Sequence, residues 1–147
     1  MSFPRHLGLD VGRRTVGVAV SDPLGWTAQP LGVIRYRRWE EVEERLEELV
    51  KAYGVARIVV GLPRRTDGSL GVEARWVEEK AMRLQERLGV PCELWDERLT
   101  TAAAERVLLE GNVRRQRRRE VIDQTAAALI LQSYLDRRQK ELSFDSP

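Results

Sequence analysis

Residues 5–10 form a short apolar run closed by an acid, and residues 15–21 alternate Val16, Val18 and Val20 with Gly17 and Ala19, the period of a half-buried strand. Only Val11-Gly12-Arg13-Arg14 separates them. With the turn Asp22-Pro23-Leu24-Gly25 and an extended segment at 30–35, the chain is expected to open as a three-stranded antiparallel meander. The period then changes: Trp39, Val42, Leu46, Leu49 and Tyr53 recur at helical spacing with glutamates opposite, and Gly54 ends the pattern. Residues 57–61 are a continuous apolar run suited to a buried strand, followed by a loop at 62–71 with an Asp67-Gly68 turn. Val77, Ala81, Leu84 and Leu88 mark a second helix stopped by Gly89; a last strand is expected at 91–95, a third helix at 100–110 and a fourth at 120–138. Right-handed crossovers make this βββ-α-β-α-β-α order an α/β mixed five-stranded sheet. Its first strand is parallel to the two later ones, and helices cover both faces.

The length, 147 residues with 42% hydrophobic positions, suits one domain at 1–138 and a short C-terminal tail at 139–147. No apolar run reaches the ~20 residues of a membrane span and the first residues do not read as a secretory signal, so no membrane partner and a cytoplasmic location are expected. One cysteine, Cys92, and one histidine, His6, exclude an internal disulfide, a Cys/His zinc site and nearly all serine–histidine catalysis. Carboxylates, arginines, hydroxyls and backbone amides remain, the inventory of magnesium-dependent phosphate chemistry. The net charge of +2 is uneven: residues 1–38 carry six arginines against two acids, whereas 39–51 carry six glutamates against two bases. Arg114, Arg115, Arg117, Arg118 and Arg119 place five positive charges within six residues, either a solvated loop between the last two helices or a grip on a polyanion. Arginines outnumber lysines 22 to 3 overall, so position is more informative than number.

Asp10 closes the first strand and Glu97 follows the last one, which in a sheet with these strands parallel brings both to the carboxyl-end edge. Asp10 alone would be an ordinary turn residue. Asp123 falls on the apolar face of its helix, among Ile122, Ala126, Ala127, Ile130 and Tyr134, where an unpartnered carboxylate costs several kcal/mol. It needs either a salt bridge, for instance to Arg98, or a divalent cation shared with Asp10 and Glu97. Thr100 reads as a helix N-cap, and with Thr101 it places hydroxyls beside a helix start. Trp26, Trp39, Trp76 and Trp95 read as packing residues. Leu131 and Leu135 lie off the expected core face, as a candidate dimer patch.

Taken together, Gly8-Leu9-Asp10-Val11-Gly12, Val16 to Asp22, Gly61-Leu62-Pro63 with Asp67-Gly68, the block Asp96-Glu97-Arg98-Leu99-Thr100-Thr101, and Asp123 followed by Ala126-Ala127 resemble the YqgF/RuvX family. The resemblance runs from about residue 6 to 136. It implies a ribonuclease H-like fold and the activity of a Holliday junction resolvase or of a nuclease maturing the small-subunit ribosomal RNA precursor. It also carries the family's three acids onto Asp10, Glu97 and Asp123. Two stretches depart from the family: Gly12-Arg13-Arg14-Thr15, where a lysine-arginine pair is usual, and Arg64-Arg65-Thr66, where a Leu-Asn-Met-like stretch is usual. Neither touches the acids.

The expectation is therefore a metal-dependent endonuclease, a hydrolase of phosphodiesters in structured nucleic acid. Asp10, Glu97 and Asp123 would be both catalytic residues and ligands of one or two Mg²⁺ or Mn²⁺ ions. Arg13, Arg14, Arg64, Arg65, Arg98, Thr100, Thr101 and the arginines from 114 to 119 would contact an rRNA precursor or branched DNA, with ribosomal particles as a further partner. Maturation of the 5′ end of pre-16S rRNA heads the readings, against junction resolution, which needs a homodimer where RNA trimming needs only a monomer. The rivals are a non-catalytic RNA-binding assembly factor and a phosphotransferase fragment whose Asp-x-Gly hairpin would hold ATP.

Overall fold

The computed structural model describes residues 4–100 and 115–144, with side chains of 115–124 and 142–144 outside the description. Strands β1 (Arg5–Val11), β2 (Thr15–Ser21), β3 (Ala28–Arg35), β4 (Val55–Leu62) and β5 (Cys92–Asp96) form one sheet in the order β3-β2-β1-β4-β5. β1 pairs antiparallel with β2 and parallel with β4, and β4 pairs parallel with β5. The expected mixed sheet is thus present, with β1 at its centre.

Alternation along the strands divides the core. Leu7 and Leu9 of β1, and Ile58, Val60 and Leu62 of β4, pack under helices α1 (Trp39–Tyr53) and α2 (Val72–Leu88). Both helices stop at glycines in the left-handed region, Gly54 and Gly89. On the opposite face, Ala19 and Val59 pack against Ala126, Ala127, Ile130, Leu131, Tyr134 and Leu135 of α3 (Arg115–Phe144). Helices cover both faces, as expected.

A Cβ placed on Gly8 would lie 2.6 Å from Leu131 Cβ and 2.8 Å from the Ala127 carbonyl oxygen. Position 8 must therefore lack a side chain for α3 to sit where it does. Because Gly8, Ala19 and Ala28 are small, the helix sinks onto β1, β2 and β3, and its flanks are buried along with its centre line. Leu131 and Leu135 are consequently 0% and 1% exposed. They are core residues, which corrects their assignment to a dimer patch.

Helix α3 also starts earlier and ends later than the pattern indicates. Residues 115–119 are helical, not an interhelical loop, and the helix runs through 139–144, assigned above to the tail. Arginine is a good helix former, so its charge density did not prevent helix formation. The expected third helix at 100–110 lies, beyond Thr100, outside the described residues. Gln132 pins the β2–β3 loop to α3: its Oε1 accepts from Ala28 N at 2.9 Å and its Nε2 donates to the Trp26 carbonyl at 2.9 Å. Trp26 itself is exposed on that loop, unlike the packing residue expected, while Trp39 is buried. No helix among the described residues is long and apolar enough to cross a membrane.

His6 lies under α3 with its ring 5.7 Å from that of Tyr134, and its buried Nδ1 has no hydrogen-bond partner. Burial, with help from Arg138 and Arg57, lowers its pKa from 6.5 to about 4. The unfolded chain therefore binds the proton more readily than the folded one, so stability is complete above pH 6.5 and is lost as pH falls toward 4. The expected loss between pH 7 and pH 5 is about 2 kcal/mol. Urea unfolding at the two pH values checks it, with His6→Phe expected to remove most of that loss; equal losses in both proteins would contradict the assignment.

Candidate active site at the carboxyl edge of the sheet

Asp10 is the penultimate residue of β1, opposite Gly17 of β2. It shares the α3 face with His6 and Gly8, because side chains alternate along a strand. β5 ends at Asp96, and Glu97 opens a single 3₁₀ turn, Glu97–Leu99. Between these strands β4 presents Gly61, which stands opposite Trp95 of β5, one residue beyond the pairing of Val60 with Leu9. A Cβ on Gly61 would meet Ile130 Cδ1 at 2.5 Å and Glu97 Cγ at 3.3 Å. The stem of Glu97 thus leans over the bare end of β4, on the strand next to Asp10. Both acids are half-buried.

Asp123 is on α3, and its side chain lies outside the described residues. The course of the helix gives its direction: Ala127 sits over Gly8, and Tyr134 lies beside His6, farther from the Asp10 edge. Asp123 precedes Ala127 by four residues, about 6 Å of helical rise toward that edge. Among the described residues no three His, Cys, Asp or Glu side chains form a metal-holding group. The two described acids are hard oxygen donors at one edge, the donor type for Mg²⁺ or Mn²⁺. This set suits such an ion if Asp123 joins it.

The expected arginines surround the same edge, mostly with acidic partners. Arg13, on the turn after Asp10, lies 4.2 Å over the Trp76 ring and pairs with Glu73 at 2.9 Å. Arg14 is exposed, and its carbonyl accepts from Tyr36 N. Arg64 reaches Asp96 at 3.5 Å, and Arg98 binds the same carboxylate at 2.8 Å. Arg98 is therefore a partner of Asp96 in this structure. Arg65 turns back with its amide bonded to the Ser69 carbonyl and its side chain beside Gly71. Thr100 ends the 3₁₀ turn, its N–H and hydroxyl both donating to the Glu97 carbonyl, and so anchors the Glu97 backbone. Thr101 and Arg114 lie outside the described residues, as do the side chains of Arg115, Arg117, Arg118 and Arg119.

The sequence pattern assigns no site role to Asp96, Glu73 or Trp76, the last of which it reads as a packing residue. Asp96 stands two residues before Arg98, the spacing of a carboxylate that caps a turn, and that was the available signal. The guanidinium of Arg98 draws the Asp96 pKa below its usual range. Burial pushes the Cys92 thiol up to about 12, so it stays protonated and takes no part as a nucleophile.

Comparison with known proteins bears on the family and the fold. The family model described as "RuvX: Holliday junction resolvase" matches residues 4–137. A protein of Moorella thermoacetica named "Putative pre-16S rRNA nuclease" is 58% identical over 133 residues, covering 90% of this chain and 95% of that one. Proteins of the same name from Symbiobacterium thermophilum and Listeria monocytogenes are 56% and 52% identical, covering 89% and 90% of this chain and 91% and 97% of theirs. Among solved structures, Thermus thermophilus RuvC in complex with a Holliday junction substrate superposes with a TM-score of 0.61 at 16% identity, covering 94% of this chain and 97% of that one. That likeness is one of fold, and it bears out the ribonuclease H-like α/β expectation.

The packing at Gly61 yields a test. Gly61→Ala is expected to destabilise by about 1–3 kcal/mol through overpacking. Ile130→Val removes the Cδ1 atom in the way, so the double variant should be more stable than Gly61→Ala alone, although Ile130→Val by itself costs about 0.5–1.5 kcal/mol. Denaturant melts of the four proteins decide it: simple additivity would mean that α3 does not rest on Gly61.

Proposed function

This chain belongs to the RuvX family, and from that premise we propose that it is a metal-dependent endonuclease that matures the 5′ end of pre-16S rRNA. The observation that carries the reading is the placement of Asp10 and Glu97 on one face of the carboxyl edge, ringed by arginines, in a chain 52–58% identical to proteins named for that activity. Asp10, Glu97 and Asp123 would hold one or two Mg²⁺ or Mn²⁺ ions. When bound, such ions activate water and stabilise charge on the phosphodiester. The carboxylates keep the site negative without substrate, and Thr100 fixes the backbone turn that presents Glu97. Arg13, Arg14, Arg64, Arg65 and Arg98 neutralise the approaching backbone, a contact that orients nucleic acid without reading its sequence. Residues 115–119 would extend this grip from the first turns of α3.

Branched DNA is the second substrate, favoured by the description of the family model. A junction resolvase needs a two-fold pair to cut both strands, and the leucine patch suggested for that role is buried core. RNA is placed first on the strength of the relatives' names. Offering an rRNA precursor and a four-way DNA junction side by side, with mass measured in solution, separates the two.

Asp10→Asn is expected to abolish cleavage while melting in chelator no lower than the parent, since it relieves repulsion among clustered acids. Ca²⁺ is expected to bind without supporting turnover, because its coordination is longer and looser. A variant that melts far below the parent, or efficient cleavage in Ca²⁺ alone, counts against the ligand assignment.

For the arginine run, replacing Arg115, Arg117 and Arg118 with alanine preserves helix propensity. It should lower the slope of log affinity against log salt by about 2 to 3, at 0.7 to 0.9 per lost phosphate contact. Single-turnover cleavage at saturation should change much less. An unchanged slope would move the substrate path to Arg13, Arg14, Arg64 and Arg65.

A further inference from the structure

Asp96 is the last residue of β5 and the immediate neighbour of Glu97, and its side chain is 17% exposed. One oxygen, Oδ1, accepts from the backbone N–H of Arg98 at 2.9 Å and from Arg98 Nε at 3.2 Å. The other, Oδ2, accepts from Arg98 Nη2 at 2.8 Å and lies 3.5 Å from Arg64 Nε. A single sunken carboxylate therefore holds two guanidiniums from two different segments, the loop after β4 and the turn after β5. Both are more exposed than the acid beneath them, Arg64 at 34% and Arg98 at 43%. They also meet at one point of the loop: Arg64 Nη1 donates to the Gly68 carbonyl at 3.2 Å, and a Cβ on Gly68 would stand 3.1 Å from Arg98 Nη1.

A turn-forming aspartate would need only the bond to the amide two residues on. The arrangement at Asp96 does more, since it binds the Arg98 guanidinium through two side-chain nitrogens and draws Arg64, itself bonded to the Gly68 carbonyl, to the same carboxylate, with both arginines still partly exposed. Guanidiniums bind phosphate through fixed forks, and ordering them beforehand removes the entropy cost of recruiting them.

We propose that Asp96 is a positioning residue that pre-orders Arg64 and Arg98 as a two-arginine clamp for the phosphodiester backbone next to Glu97. The inference rests on the nuclease reading above and adds to it the residue that sets the clamp. It predicts an effect opposite in sign to simple charge. Removing a negative charge beside a polyanion strengthens binding by long-range electrostatics, whereas releasing the two arginines weakens it.

Fluorescence anisotropy in chelator, with a labelled rRNA-precursor hairpin bearing a single-stranded flank and a labelled four-way DNA junction, reads affinity without cleavage. Asp96→Asn is expected to weaken binding of the cognate probe about tenfold, the effect of losing one ordered charge-assisted contact. It should add nothing further in an Arg64→Ala/Arg98→Ala background. Arg98→Lys, which keeps the charge and loses the fork, should show a similar loss, so the inference stays testable if Asp96→Asn folds poorly. In metal, Asp96→Asn should raise KM while kcat falls much less. Unchanged or tighter binding by Asp96→Asn, or a further loss in the double-alanine background, overturns the clamp. A parent protein that neither binds nor cleaves either probe overturns the nuclease reading itself, a distinct result.

Discussion

The closeness with which α3 rests on the sheet governs this molecule. Gly8 and Gly61 lie on neighbouring parallel strands, and each is occupied from above by an α3 side chain where its own Cβ would be, Leu131 at the first and Ile130 at the second. A helix normally stands off a sheet by the thickness of two interleaved side-chain layers; here one layer is missing at two points. The cost of filling that space is steric, so the distance between α3 and the carboxyl edge is set by core packing. The same contact that buries Ile130 also confines the stem of Glu97 to one side of Gly61. Apolar packing thereby holds together the elements that carry Asp10 and Glu97.

That constraint explains which parts of the fold were legible in the sequence. The antiparallel opening strands, the first strand parallel to the two later ones, and the two-sided helical cover follow from periodicity and from the handedness of crossovers, and all appear in the structure. The positions of Asp10 and Glu97 follow in turn, because strand ends in a parallel pair share an edge. Burial of Leu131 and Leu135 was not legible. A helical wheel assigns a core stripe of ordinary width, whereas Gly8, Ala19 and Ala28 let this helix sink until its flanks are covered as well. The smallness of residues on one element decided the burial of residues on another, about a hundred positions away.

Two other misreadings have separate causes. Five arginines in six residues look like a loop if only their repulsion is considered, but arginine propagates a helix readily and α3 continues through 115–119. Trp26 looks like core by composition, yet it sits on a hairpin whose backbone is satisfied by Asp22, which accepts from the amides of residues 26 and 27. Its side chain is left outside because the loop is fixed through its main chain. In both cases the local hydrogen-bonding or propensity term prevailed over the cruder guide of charge or hydrophobicity.

The arginines at the carboxyl edge also need a different reading from the one their number invites. Arg13 is bound to Glu73, and Arg64 and Arg98 to Asp96, so none of these three projects as an isolated charge. The two arrangements differ in kind. Arg13–Glu73 is an exposed pair, 53% and 64% open, of the class worth no more than about 1 kcal/mol. A polyanion can replace Glu73 at small cost, while the Trp76 ring beneath the guanidinium keeps its plane. Asp96 lies deeper than its two arginines, so exchange there would strand a half-buried carboxylate without its counter-charges. Under the proposed function, the first pair would yield its acid to a nucleic-acid backbone and the second would retain it, so that neighbouring arginines would act differently on one edge.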